Sequence, residues 1–79
     1  MSGRPFKFNT RSIEPVPAAH QQAVADALRA LLADVQAAEL FGALEDGPDN
    51  LGVGSVLLAY EVDRAQRVIT VQRYVWFGA

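Results

Sequence analysis

The longest stretch without glycine or proline runs from Ala18 to about Phe41 and is rich in alanine. Alanine has the highest helix propensity, so a segment of this length without a helix breaker predicts one α-helix. Apolar residues recur within it at steps of three and four, which places them on one stripe. The stripe consists of Val24, Leu28, Leu31, Val35 and Ala38, and is widened by Ala27 and Leu32. The rest of the chain must supply a layer that covers this stripe.

The ends of this helix carry different signals. Pro17 suits the first helical position, where its missing N–H has no partner in any helix. Gly42 is the expected terminator, because glycine readily adopts the left-handed conformation that ends many helices.

Three segments predict β-strands. Phe6 to Thr10 alternates apolar and polar residues, which is the period of a half-buried strand. The segments from Ser55 to Val62 and from Arg67 to Phe77 are rich in β-branched and aromatic residues, and Asp63 to Gln66 predicts the turn between them. The glycine-rich segment "GALEDGPDNLGVG" predicts an irregular loop.

These elements predict an α+β fold. One long amphipathic helix packs on a small antiparallel sheet, which is built from the N-terminal strand, at one edge, and the C-terminal hairpin. With 79 residues the chain is expected to form a single α+β domain over residues 1–79.

The alternation of residues in the hairpin predicts which side chains remain uncovered. With the turn centred on Arg64 and Ala65, every second residue faces the helix and the others face away from it. Tyrosine and tryptophan are favoured at protein interfaces, so the uncovered face is a candidate partner-binding surface. Its predicted residues are Leu57, Val68, Gln72, Tyr74 and Trp76. Arg73 falls on the core side, so either a bulge turns it outward or it lies at the sheet rim.

The charges are distributed unevenly along the chain, whose net charge is -2. No lysine or arginine occurs between Arg29 and Arg64, and that stretch is acidic. Nucleic-acid-binding proteins usually carry a basic stripe, so direct nucleic-acid binding is not expected. The pattern is typical of a solvated acidic loop, and it also leaves room for a protein partner with a basic surface. The candidate partner-binding residues of this loop are Glu45, Asp46 and Asp49.

Residues suited to catalysis are few. His20 is the single histidine, and the sequence names neither a nucleophile nor an orienting partner for it. One histidine without cysteine cannot form a typical zinc site, and the acidic loop lacks the spacing of a calcium loop. We therefore expect no enzyme activity, no cofactor and no bound metal.

The chain has no apolar run long enough to cross a membrane and no signal-peptide pattern, so a cytoplasmic protein is expected. Lys7 is the single lysine among many alanines and arginines, a composition typical of a bacterium or phage with GC-rich DNA.

The hairpin "GSVLLAYEVDRAQRVITVQRYVW" combines a tyrosine, a short acidic turn, alternating valines and a following arginine. It resembles the end of the RelE/ParE toxin superfamily, small α+β proteins of toxin–antitoxin pairs. The matching residues are Tyr60, Glu61, Val62, Asp63, Val68, Ile69, Thr70, Val71 and Arg73. The resemblance covers about a third of the chain.

The chain departs from that family where its nucleases carry basic residues. Leu57 occupies the position at which that family has an arginine before the tyrosine. Val75, Trp76 and Phe77 replace the family's glycine-histidine-arginine ending. These side chains cannot stabilise phosphate charge, so a toxin of this kind is expected to lack ribonuclease activity. A single long helix in place of a helical pair is a further departure.

Three functions follow from these patterns. We favour a non-catalytic protein that binds, and by binding inhibits, a larger protein, as anti-CRISPR proteins do. A RelE/ParE-like toxin without ribonuclease activity is the second. A homodimeric structural module is the third, because the outer side of the helix carries small residues that allow a second helix to approach. These outer residues are Ala30, Ala33 and Ala37, with Leu40 beside them.

Overall fold

A computed structural model describes residues 4–78. The elements in chain order are β1 (Lys7–Asn9), a 3-10 turn (Arg11–Ile13), α1 (Ala18–Leu40), β2 (Gly47–Val53), β3 (Val56–Asp63) and β4 (Val68–Trp76). The helix packs on one face of a four-stranded sheet, which confirms the predicted α+β class.

The bounds of α1 agree with the sequence prediction, and the hydrogen bonds at its C-terminal end explain where the helix stops. Pro17 is the N-cap and offers no side-chain hydrogen bond. At the other end Gly42 has a φ of 70°, its N–H donates to the carbonyl of Glu39, and the N–H of Ala43 donates to the carbonyl of Ala38. These two bonds form a Schellman motif, which satisfies carbonyls that a helix end otherwise leaves unpaired.

The core lies between the predicted helix stripe and one face of the sheet. The buried helix residues are Val24, Ala27, Leu31 and Val35. The buried sheet residues are Val56, Leu58, Tyr60, Val62, Ile69 and Val71. Phe6 and Ile13 extend this core from the N-terminal segment. Burial of these apolar side chains is the main source of stability in a chain of this size.

The strand order is β1-β4-β3-β2. The N-terminal strand β1 lies at an edge, as predicted, but it pairs with β4 in the parallel sense. The sheet is therefore mixed, whereas the sequence analysis predicted an antiparallel one.

The segment predicted as an irregular loop contains the second edge strand. β2 pairs with β3 in antiparallel register from Gly47 opposite Val62 to Val53 opposite Val56. Proline, glycine, aspartate and asparagine are depleted in strands, but an edge strand tolerates them because one of its sides needs no ladder partner.

The turn between β3 and β4 has the predicted length but begins one residue later than predicted, which shifts the hairpin register by two residues. Residues 64–67 form the turn, so that Asp63 pairs with Val68 and Tyr60 pairs with Val71. A turn centred on Arg64 and Ala65, as predicted from the sequence, would pair Tyr60 with Ile69 and Leu58 with Val71, and both of these pairs are wrong. A shift of two residues leaves each side chain on its predicted face near the turn, because the side-chain period of a strand is also two.

A β-bulge in β4 reverses the predicted faces beyond Val71. Tyr60 pairs with Val71, but the preceding Ala59 pairs with Arg73, so that Gln72 is the extra residue. The bulge turns Arg73 away from the core, which was one of the two options that its position left open. It also moves every following residue of β4 to the opposite face from the one predicted.

Arg67 connects three parts of the fold that are distant in the chain. Its guanidinium donates to both carboxylate oxygens of Glu39, at 2.6 and 3.1 Å, and its Nε donates to the carbonyl of Arg4. The guanidinium also lies 4.2 Å from the centre of the Phe6 ring. The end of α1, the β3–β4 turn and the N-terminal segment are thus held together by one side chain.

This contact predicts a loss of stability in acid. The hydrogen bonds from Arg67 lower the pKa of Glu39, so the ionised carboxylate favours the folded state. That stabilisation is complete above the ordinary glutamate pKa and disappears as the pH falls through the lowered one. Urea denaturation between neutral and acidic pH should show wild type more stable than Glu39→Gln at neutral pH, with the difference closing in acid. A difference that is the same at both ends of the range would contradict this role.

Candidate functional site

Four carboxylates surround a pocket between the second half of α1 and the strand β2. The cavity has a volume of about 180 Å³. Its acidic residues are Asp34, Glu45, Asp46 and Asp49, and Val35, Ala38, Leu44 and Val62 form much of its apolar wall. We call this cavity the Tyr60 pocket, because the side chain of Tyr60 also lines it.

The pairing of β2 with β3 creates this pocket. Asp49 pairs with Tyr60, and directly opposed residues of an antiparallel pair point to the same side of the sheet. The side chain of Asp49 therefore points to the side of the sheet that α1 covers, and Asp34 lies on α1. The segment between the helix and β2 contributes Glu45 and Asp46 to the rim.

The environment of Tyr60 is unusual for a core residue. Burial raises the pKa of its hydroxyl, and the nearby carboxylates of Asp49 and Asp34 raise it further. Both effects disfavour the negatively charged phenolate, so the hydroxyl stays protonated over a wide pH range.

A second, shallower pocket adjoins the first across the start of β2. Asp46, Gly47 and Val62 line both cavities, and Glu61 and Asp63 add two further carboxylates to the second one. Neither pocket is lined by a lysine or an arginine. The acidic surface consists of Asp34, Glu45, Asp46, Asp49, Glu61 and Asp63. It extends around the β2 edge of the sheet, because Glu61 and Asp63 alternate with the buried Tyr60 and Val62 and point away from the helix. The three predicted acidic residues thus lie together, and three more join them.

Four of these carboxylates also accept hydrogen bonds within the chain. Asp49 accepts one from the backbone N–H of Asn50, at 2.8 Å, and Glu61 accepts one from the side-chain amide of Gln72. Asp46 accepts a hydrogen bond of 2.7 Å from the backbone N–H of Arg64, and Asp63 accepts one from the N–H of Gln66. Both bonds hold the β3–β4 turn, whereas Glu45 lies exposed at the rim. Glu39, the remaining acid of this stretch, is engaged with Arg67 instead.

The predicted aromatic face does not form as expected. Leu57 and Val68 lie on the sheet face away from the helix, and Gln72 is exposed at the bulge. Tyr74 and Trp76 lie on the helix side, because the bulge changes the alternation before it reaches them. The prediction that these two aromatic side chains line the uncovered face is therefore wrong.

The residues that take their place on the uncovered face are apolar but less aromatic. Val75 pairs with Leu57, and it is 37% exposed. Ala59 and Arg73 form the next pair toward the bulge. Phe77 follows the strand and is 66% exposed. Uninterrupted alternation along β4 would place Val75 and Phe77 on the core side together with Arg73, and this placement is wrong. The misfit of the charged Arg73 on that side was the one sequence signal for the bulge.

Tyr74 and Trp76 instead form a cluster with His20 at the start of α1. The His20 ring stacks on the Trp76 indole at 4.0 Å between centres, and its Nδ1 lies 3.0 Å from the Tyr74 hydroxyl. The cluster gives His20 the orienting partner that the sequence did not reveal. The described contacts of His20 in this cluster are the Tyr74 hydroxyl and the Trp76 ring.

The positions assigned to a homodimer interface lie on the outer side of the helix. Ala33, Ala37 and Leu40 are exposed, and Ala30 is half-buried. Leu40 and its neighbour Phe41 are the most exposed large apolar residues that the structure describes. Homodimer formation through this side of the helix stays a prediction.

Among residues 4–78 no group of three or more metal-ligating side chains is arranged to hold an ion. In the same part of the chain no helix has both the length and the apolar character needed to cross a membrane.

Comparisons with protein-family models, with curated proteins and with solved structures give no significant match. The resemblance of the hairpin to the RelE/ParE superfamily therefore stays a prediction. What the chain does must be argued from the acidic surface and the uncovered sheet face themselves.

Proposed function

We propose that this chain is a non-catalytic protein-interaction module that binds a basic surface of a larger protein and thereby inhibits it. The observation that carries the proposal is the acidic surface, in which six carboxylates from α1, β2, β3 and their connections line two adjoining pockets. The residues are far apart in the chain, so the fold itself concentrates their charge.

The physical basis is electrostatic complementarity. Concentrated negative charge accelerates the encounter with a positively charged surface and fixes the orientation of the complex. The pockets add walls that exclude part of the solvent, which strengthens charge interactions compared with a flat surface. A partner held in this way can no longer use the same basic surface for another ligand, and this is how binding would inhibit it.

Two double variants test the proposal with the same change of net charge. Glu45→Gln with Asp49→Asn removes two charges from the acidic surface. Glu14→Gln with Asp26→Asn removes two exposed charges elsewhere, on residues with local hydrogen bonds only. The partner is captured from the cells that naturally express the chain, purified, and titrated calorimetrically against wild type and both variants.

We expect the first variant to bind about tenfold more weakly at about 50 mM salt, with a smaller difference at about 300 mM, because salt screens exposed charges. The second variant should bind like wild type. Equal binding by wild type and the first variant would contradict the proposal, as would an equal loss in both variants. A self-associated chain without another partner would instead favour the homodimer hypothesis.

A further inference from the structure

The Tyr60 pocket has the size and walls of a site for one side chain rather than for solvent alone. Its volume of about 180 Å³ equals the space of roughly six water molecules at about 30 Å³ each. Carboxylates occupy its rim, and the apolar side chains of Val35, Leu44 and Val62 lie below them. A long side chain with an apolar stem and a charged head matches this arrangement.

Tyr60 supplies an observation that is independent of the acidic residues. Its side chain is only 4% exposed, yet its hydroxyl forms no hydrogen bond with residues 4–78, whereas the hydroxyl of Tyr74 is bonded to His20. Within those residues no fully buried side-chain oxygen or nitrogen lacks a partner. The Tyr60 hydroxyl must therefore retain its small access to solvent, and the pocket is the space that Tyr60 lines. A hydroxyl that opens into a cavity without a partner from the described residues can accept a hydrogen bond from a ligand there.

The chemistry of the cavity selects the kind of ligand. The carboxylates require a cation, but they are not grouped closely enough for a metal ion in the described part of the chain. A guanidinium group is planar and directs five N–H donors in several directions, so it can reach separated oxygen atoms at once. Tyrosine oxygen can accept one of these bonds, and carboxylates such as Asp49 and Asp34 can accept the others.

We propose that the Tyr60 pocket binds the side chain of one arginine of the protein partner. The guanidinium lies among the carboxylates and donates to the Tyr60 hydroxyl, and the methylene stem packs on the apolar wall. The inference rests on the proposed function, because it names the part of a basic partner that the acidic surface would receive.

The pocket can be tested without the partner. Propylguanidinium reproduces the end of an arginine side chain, butylammonium reproduces lysine, and propylurea is a neutral analogue of the first. Each is titrated into isotopically labelled full-length chain, and amide resonances are followed by NMR. We expect propylguanidinium to shift the amides of Leu44, Gly47 and Asp49 in a saturable way. Butylammonium should bind several-fold more weakly, and propylurea should leave these resonances unchanged.

A matched pair of tyrosine variants tests the role of the hydroxyl. Tyr60→Phe should weaken propylguanidinium binding by at least about tenfold, the loss expected for one hydrogen bond to a charged group. Tyr74→Phe should leave it unchanged, because that hydroxyl lies in the His20 cluster. Asp49→Asn provides a second variant that keeps the side-chain shape while removing one charge. Thermal unfolding of each variant shows that the fold is intact.

Three results would overturn the inference. They are equal affinity in Tyr60→Phe and wild type, equal affinity for butylammonium and propylguanidinium, and shifts that spread to Glu14 and Asp26 as strongly as to the pocket. The proposed function would survive any of these if the charge variants described above still bind the partner differently. Conversely, specific propylguanidinium binding with no charge-dependent partner would support the pocket but contradict the proposed function.

Discussion

Trp76→Ala is expected to lower the free energy of unfolding by about 2–3 kcal/mol. Replacing a core tryptophan costs about 3–5 kcal/mol, and Trp76 is only partly buried. Its indole stacks on His20 and packs against the core, and the backbone of Gly78 lies close to the indole. Removing it leaves a gap between the start of α1 and the end of β4. Urea denaturation monitored by circular dichroism measures the loss.

The neighbouring Phe77→Ala is the matched control. Phe77 is 66% exposed, so its removal should change stability by no more than about 0.5 kcal/mol. Because the two residues are adjacent, the comparison reports directly on which face each occupies. A larger loss for Phe77→Ala than for Trp76→Ala would show that β4 runs without the bulge.

Leu58→Ala should cost about 2–5 kcal/mol, the range for a leucine removed from a closed core. Leu58 has no exposed surface, and it lies in the centre of the sheet under α1. The same denaturation experiment measures this effect. The slope of the free energy of unfolding against urea concentration should stay similar to that of wild type if the variant unfolds in one step.

Leu57→Ala is the control for the uncovered face. Leu57 is half-buried beside Gly52 and Val75, and no described helix lies over it. We expect the free energy of unfolding to fall by less than about 1 kcal/mol. The transfer free energy of a side chain scales with the apolar area it buries, and Leu57 is only half-buried. A loss equal to that of Leu58→Ala would mean that this face is covered, as it would be in a dimer. Repeating the measurement at several protein concentrations separates the two cases.

The helix could be predicted because its signals are local. The alanine-rich run, the spacing of Val24, Leu31 and Val35, and Gly42 at the end all act within a few residues of one another. Nothing elsewhere in the chain opposes these preferences, so the sequence pattern and the structure agree.

Strand β2 could not be predicted, because its own residues argue against a strand. Gly47, Pro48, Asp49 and Asn50 favour turns, and only Leu51 and Val53 favour a sheet. The strand forms because the backbone N–H and C=O groups along one edge of β3 can pair with it. Pairing of this kind depends on the tertiary structure, which a window of neighbouring residues does not contain.

The bulge was foreseen only as one explanation for Arg73. Alternation in β4 predicts correctly which sheet face each side chain occupies up to Val71, and one extra residue reverses every face beyond it.

The acidic surface could be predicted only in part, because its assembly depends on the tertiary structure. The gap in basic residues identifies Glu45, Asp46 and Asp49, but their meeting with Asp34 and Tyr60 requires the unpredicted β2.

The parallel pairing of β1 with β4 has a consequence for how the chain reaches its fold. Lys7 pairs with Val68, so β1 has its only described strand partner in β4, and β2 and β3 lie between them in the chain. The β3–β4 hairpin and α1 can form from local contacts, whereas this edge of the sheet closes a loop that spans most of the chain. A ribosome-bound chain therefore presents β1 without this partner until β4 has emerged. Arg67, which contacts Arg4, Phe6 and Glu39, lies where that late closure takes place.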